Sequence, residues 1–141
     1  MTIVETLGPL LGVWRGTNRL RMLPTDDYRE SAASATVSVA AQRFVTIAYT
    51  WSDGDKPQDG LMVIGEGGMV WVDSWHTPEE WMQMPREPEE PDEPGVVRFA
   101  GVYEKEWGWL IHLDPAAAKI TMRNVPPGHP PYQVVEIALG L

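Results

Sequence analysis

The motif Gly12-Val13-Trp14-Arg15-Gly16 constrains the fold of this chain more than any other feature. It begins a run of residues that alternates with a period of two, as a half-buried β-strand does. One face of that strand would hold Trp14, Gly16, Asn18, Leu20 and Met22. Glycines on both sides of Trp14 allow a neighbouring backbone to approach closely, while the indole plugs one end of a small barrel. The motif therefore predicts a closed antiparallel sheet.

Length and composition favour a single all-β domain over residues 1–141. A chain of 141 residues is long enough to bury a core. Its thirteen glycines and thirteen prolines are typical of many turns and little helix. Because the sequence has no cysteine, disulfides, thiolate chemistry and cysteine-based metal sites are excluded.

The charge of the chain bears on its partners. Twenty acidic residues stand against eleven basic ones, which disfavours a nucleic acid or an anionic membrane surface as partner. The N-terminus lacks the features of a secretory signal, and no apolar stretch is long enough to span a bilayer. We therefore expect a cytoplasmic monomer or homodimer.

Alternation along the rest of the chain predicts nine or ten short strands. They are expected at about 13–23, 28–39, 44–52, 60–65, 69–75, 96–104, 107–113, 119–125 and 132–139. The turn Glu66-Gly67-Gly68 between two of these runs predicts a tight hairpin. Small residues in the run 28–39 would leave room inside a barrel.

One helix and one loop are predicted between these strands. Thr77-Pro78-Glu79-Glu80 has the form of a capping box with proline at the first helical position, which predicts a short helix to about Met84. Residues 85–95 are rich in proline and glutamate, so we expect a flexible, solvated loop there.

Four motifs together resemble a known family. They are Gly12-x-Trp14-x-Gly16, Val72-Asp73-Ser74-Trp75-His76, Trp107-Gly108-Trp109 and the run from Met122 to Gly128. Their order over nearly the whole chain is similar to that of the bacterial DUF1579 family, and through it to lipocalin, fatty-acid-binding and nitrobindin-type barrels, grouped as calycins. The resemblance implies an antiparallel up-and-down barrel with an internal cavity. It implies no reaction, because DUF1579 is a family of unknown function.

Asp73, Ser74 and His76 form the first candidate site, where a carboxylate, a hydroxyl and an imidazole lie close in sequence near a strand end. Strict alternation would place Asp73 on one face with Trp71, and Ser74 and His76 on the other, so we expect no ready-made catalytic triad. The simpler interpretation is structural: the first two residues satisfy backbone donors, and the histidine is hydrogen-bonded.

Tryptophans and methionines provide the second candidate site. Seven tryptophans in one small chain can wall an apolar pocket, although most of them also suit a packed core. The residues we predict to bind a ligand are Met62, Trp71, Asp73, Trp75, His76 and Tyr103, with Trp81 on a lid over the pocket. Trp14 is assigned to the structural plug.

Metal and haem are not predicted. The three histidines, His76, His112 and His129, lack a spacing specific for a metal site. A haem site like that of nitrobindin requires a proximal histidine on the last strand, whereas His129 lies before it in a proline-rich turn. We therefore expect no cofactor.

Binding of a small, mainly hydrophobic or aromatic ligand is the predicted function, without catalysis. Two alternatives stay open. An isomerase or hydrolase would use His76 as base with help from Asp73 or Tyr103, and would need a pocket containing a histidine or carboxylate with a shifted pKa. A structural or interaction module would have a barrel filled by side chains.

Overall fold

Ten antiparallel strands, joined in chain order, form a closed barrel. The structure is a computed structural model that describes residues 1–140. Its strands are β1 (Gly12–Leu20), β2 (Arg29–Ala40), β3 (Phe44–Asp53), β4 (Lys56–Ile64), β5 (Gly68–Asp73), β6 (Thr77–Glu87), β7 (Val97–Tyr103), β8 (Trp107–Asp114), β9 (Lys119–Val125) and β10 (Tyr132–Leu139). One short helix, α1 (Ile3–Thr6), and a 3-10 turn (Gly8–Leu10) precede them. The predicted all-β antiparallel barrel is confirmed.

The barrel closes at β1, which pairs with β2 on one side and with β10 on the other. Gly16 lies opposite Ala33 of β2 and Leu139 of β10. A Cβ atom on Gly16 would collide with the backbone of Ala138. The second glycine of the predicted motif is therefore the position that lets the last strand reach the first.

Side chains alternate between the barrel interior and the outside as the sequence predicts. On β3 the buried positions are Val45, Ile47, Tyr49 and Trp51. On β2 the interior positions include Ala33 and Ala35, whose small side chains leave room for large residues from other strands. The core is consequently one continuous cluster inside the barrel.

The N-terminal segment closes one end of the barrel. Thr2 and Glu5 form a capping box at α1, which fixes a helix of only four residues. Behind it Leu7 and Leu10 are fully buried, and Trp14 Nε1 donates a hydrogen bond of 2.7 Å to the Leu10 carbonyl. Gly140 lies beside the indole of Trp14, which a Cβ atom at this position would contact. The predicted structural plug is thus built from Trp14 together with the N-terminal helix.

The predicted helix at 77–84 is wrong, because these residues belong to β6. Thr77 Oγ1 accepts a hydrogen bond of 2.7 Å from the Asp73 amide, so its side chain closes the turn after β5 instead of capping a helix. Residues of β6 then pair with β5, from Met82 opposite Trp71 to Pro85 opposite Gly68. Strand pairing that completes the barrel outweighs the local capping signal.

Part of the predicted loop 85–95 is also strand. β6 continues to Glu87, where it pairs with Arg98 of β7. Between them, residues 88–96 connect β6 to β7 and keep the proline- and glutamate-rich composition that led to the loop prediction.

Gly16→Ala is expected to destabilise the barrel by about 2 kcal/mol, because its new methyl group forces β10 away from β1. Gly67→Ala is the matched control, since a Cβ there has no atom within 4 Å. Urea unfolding measures both variants. Equal midpoints for the two variants would contradict the assigned role of Gly16.

Candidate functional site

A cavity of about 230 Å³ opens at the end of the barrel away from α1. Side chains from the ends of several strands and from two connections surround it. They are Met22, Trp71, Trp75, His76, Thr77, Met82, Tyr103, Trp109, Asn124 and Val134. Most of this wall is aromatic or aliphatic, so the cavity favours an apolar occupant.

Asp73 ends β5 and organises the turn that follows. Its Oδ1 accepts hydrogen bonds from the backbone amides of Trp75, at 2.8 Å, and His76, at 2.9 Å. The same oxygen lies 3.0 Å from Nδ1 of the His76 ring. The expectation that His76 faces away from Asp73 is therefore wrong, because alternation stops where the strand ends.

The second oxygen of Asp73 is bound from inside the barrel. Tyr49 donates its hydroxyl to Oδ2 at 2.6 Å, and Trp71 Nε1 donates to the Tyr49 hydroxyl at 2.8 Å. Gly60 lies beside the Tyr49 ring, where a Cβ would overlap it. We call Trp71, Tyr49, Asp73 and His76 the Asp73 network.

The electrostatics of this network keep Asp73 ionised. Burial raises the pKa of the Asp73 carboxyl, but the hydrogen bond and charge of His76 and the hydrogen bond from Tyr49 outweigh it, so the pKa falls from 3.8 to about 2. Burial and the nearby Asp73 raise the pKa of Tyr49, which stays protonated as the donor. Since an ionised carboxylate only accepts, His76 Nδ1 carries the proton in that hydrogen bond. In the neutral imidazole, Nε2 is then the free acceptor.

Tryptophan rings surround His76. Its ring centroid lies 4.8 Å from Trp75, 5.3 Å from Trp109 and 5.8 Å from both Trp51 and Trp71. The His76 side chain is only 8% exposed. Its Nε2 and the Nε1 of Trp109 are buried, and neither has a hydrogen-bond partner among residues 1–140.

The predicted ligand-binding residues divide into three groups. Trp71, Trp75, His76 and Tyr103 line the cavity. Asp73 does not line it and acts from behind His76. Met62 is fully buried in the core and is absent from the cavity wall.

Trp81 does not form the predicted lid. Because β6 is a strand, Met82 turns toward the cavity and Trp81 turns outward, where it is 67% exposed. Ser74 also lies outside the site, since its hydroxyl donates to Gln58 and accepts from the Asp59 amide.

Residues that sequence reasoning missed supply much of the site. Tyr49, the partner of Asp73, and Trp109, which stacks on Trp71, are not among the predicted ligand-binding residues. Asn124 accepts a hydrogen bond from the Tyr103 hydroxyl and donates one of 3.0 Å to Tyr132, so it fixes a polar edge of the cavity. Alternation predicts which of these side chains point into the barrel. Which of them contact one another depends on the register between strands, as for Trp109 opposite Asn124.

The other two histidines lie outside the cavity. His129 is an exposed turn residue. His112 lies beside Arg98 and Arg123, and burial with these two charges lowers its pKa to about 4. Within residues 1–140 no three His, Asp or Glu side chains are grouped to hold a metal ion, and no helix is long and apolar enough to cross a membrane.

Comparison with known proteins supports the fold. The chain is similar to the crystal structure of Rv2717c from M. tuberculosis, with a TM-score of 0.55 and 15% sequence identity over 96% of this chain and 94% of that one. A likeness at this identity shows the barrel alone. No family model and no curated protein matches the sequence, so the resemblance to DUF1579 stays a prediction.

Asp73→Asn is expected to reduce the acid sensitivity of the protein. A carboxyl with a lowered pKa stabilises the fold above the unfolded value of 3.8, and that contribution is lost as the pH falls toward about 2. Between pH 6 and pH 2 the wild type should therefore lose about 2 kcal/mol more unfolding free energy than the variant. Chemical denaturation at both pH values measures the difference.

Asp55→Asn, at an exposed turn, is the matched control and should keep the wild-type pH dependence. The same pH dependence in Asp73→Asn and the wild type would contradict the assigned electrostatics.

Proposed function

We propose that the protein reversibly binds a small, mainly apolar aromatic molecule in the cavity at the open end of the barrel. The observation that carries this proposal is an aromatic-walled space of about 230 Å³ beside a fully packed core. Ligand pockets commonly measure about 300–1,000 Å³, and an apolar cavity of about 150 Å³ accepts benzene. The size therefore favours a ligand with a single ring.

The shape of the wall supports an aromatic ligand. Trp71 and Trp109 are stacked with an interplanar angle of 6° and centroids 5.7 Å apart, and Trp75 stands against His76. Such rings offer large, rigid contact surfaces to another ring. A barrel completely filled by side chains would favour the alternative of an interaction module, whereas this barrel keeps a cavity at the end away from α1.

The proposal also covers the family, partners, location and cofactors of the protein, for which the sequence is the main source. The DUF1579 resemblance is supported by the closed barrel and by the positions of Trp14 and Gly16 at its closure. The net charge of −9 favours neither a nucleic acid nor an anionic membrane as partner. A cytoplasmic location and the lack of a cofactor are part of the same proposal.

Val134→Phe tests the proposed binding site, because Val134 lines the cavity and a phenyl group there occupies the ligand space. We expect binding of one-ring aromatic compounds, with toluene and phenol as the first probes, to weaken at least about tenfold in calorimetric titration. Native mass spectrometry of the purified wild type should show an added mass that disappears on denaturation.

Val102→Phe is the control, since Val102 is 68% exposed on β7. Unchanged affinity in Val134→Phe would place the ligand elsewhere. Failure of every aromatic probe to bind the wild type, with a bare chain mass, would overturn the proposed function. A visible absorption band in the purified protein would contradict the absence of a cofactor.

A second candidate function is general-base catalysis, favoured by the contact of Asp73 with His76. An ionised carboxylate on Nδ1 orients the imidazole and stabilises it when Nε2 takes up a proton. The His76 side chain lines the cavity, so in this function a bound molecule would have to reach the buried Nε2 to give up its proton. Tyr103 does not assist directly, because its hydroxyl donates to Asn124.

Hydrolysis of small aryl esters such as 4-nitrophenyl acetate tests this second function. If the wild type hydrolyses the ester, His76→Gln should lower the rate by about 100-fold or more, because general-base catalysis commonly contributes that much. His129→Gln, at the exposed turn, should keep the rate. Equal rates in both variants would exclude His76 as the base in this reaction.

A further inference from the structure

We propose that the ligand is a phenol, whose single hydroxyl binds between His76 and Trp109. This inference rests on the proposed function and specifies the chemistry of its ligand. It comes from two buried polar atoms, His76 Nε2 and Trp109 Nε1, that belong to side chains of the same cavity wall and have no hydrogen-bond partner among residues 1–140.

Unpartnered polar atoms are costly in a buried position. A buried donor or acceptor without a hydrogen bond costs about 1–3 kcal/mol, and most such groups in folded proteins are satisfied. The His76 ring is held by the hydrogen bond of Nδ1 to Asp73 and by four tryptophan rings, so it cannot turn to find another partner without breaking that bond. The fold thus fixes the His76 ring in the cavity wall.

The two atoms need complementary partners, since one accepts a hydrogen bond and the other donates one. His76 Nδ1 donates its proton in the hydrogen bond to the ionised Asp73, so Nε2 of an imidazole that carries this one proton accepts a hydrogen bond. Trp109 Nε1 can only donate. A hydroxyl oxygen accepts from Trp109 while its hydrogen goes to His76.

The two rings lie close enough for one ligand group to approach both. Their centroids are 5.3 Å apart and their planes are tilted by 44°. A single hydroxyl oxygen can take part in two hydrogen bonds of about 2.7–3.0 Å. The aromatic ring that carries the hydroxyl then has Trp71 and the thioether of Met82 in the same wall.

Other ligand chemistries fit less well. A carboxylate needs donors on both sides and would lie close to the ionised Asp73 in a protein of net charge −9. An apolar ring leaves both nitrogen atoms unpaired. A phenol is neutral at pH 7, like the tyrosine side chain, and satisfies both.

Three isosteric or near-isosteric probes test the inference on the wild-type protein. Phenol should bind on the order of tenfold more tightly than toluene, which replaces the hydroxyl by a methyl group. Anisole keeps the oxygen acceptor but loses the donor, so it should gain little over toluene. Calorimetric titration at pH 7 gives the three dissociation constants.

Trp109→Phe removes the donor and keeps an aromatic ring, and should reduce the preference for phenol over toluene severalfold. His76→Phe should do the same through loss of the acceptor. Trp81→Phe and His129→Gln are the matched controls, because both residues are exposed and neither lines the cavity. Circular dichroism establishes whether each variant folds, and the wild-type probe series decides the question if a variant does not.

The outcomes separate this inference from the proposed function. Equal affinity for phenol and toluene would overturn the hydroxyl assignment while leaving aromatic binding in place. A phenol preference that Trp109→Phe and His76→Phe both retain would also overturn it. Failure of all three probes to bind would overturn the proposed function as well.

Discussion

Closure of the sheet is the constraint on which the rest of the structure depends. β1 must pair with β2 and β10 at once, and only a glycine at position 16 leaves space for the backbone of Ala138. Closure removes the free strand edges that would otherwise pair with other chains. It also fixes the interior, because a ten-stranded barrel encloses more space than the eight-stranded barrels that side chains alone fill.

The two ends of the barrel interior differ in polarity. At one end α1 and Trp14 complete an apolar core that includes Ile3, Leu7 and Leu10. At the other end a buried carboxylate, Asp73, organises the turn between β5 and β6. A buried charge is tolerated only when it is well paired, and here Tyr49, the ring of His76 and two backbone amides bind its two oxygens. The same hydrogen bonds that stabilise Asp73 therefore position His76 at the cavity.

The sequence predicts strand faces correctly where residues alternate with a period of two throughout a strand. The faces of β1 and β3 and the hairpin around Gly67 follow from alternation and turn chemistry. It misled at 77–84, where a capping pattern competed with pairing to β5, a contact that no local rule contains. It misled again at His76, because alternation was carried past Asp73, the last residue of its strand. The contact of Tyr49 with Asp73 joins residues 24 positions apart, and the register that produces it was not readable from either strand alone.

The open end of the barrel is where stability and binding meet. An all-apolar lining in place of His76 and the indole nitrogen of Trp109 would remove two buried unpaired atoms, and such replacements commonly stabilise a fold. With His76 and Trp109 in place, two buried nitrogen atoms lack hydrogen bonds, and a ligand can supply these bonds only in the folded state. By mass action, a molecule that binds these atoms stabilises the barrel as it binds. The lack of hydrogen bonds is local, because Trp71, Tyr49 and Asp73 behind His76 are already hydrogen-bonded, and a ligand that binds Nε2 leaves those bonds in place.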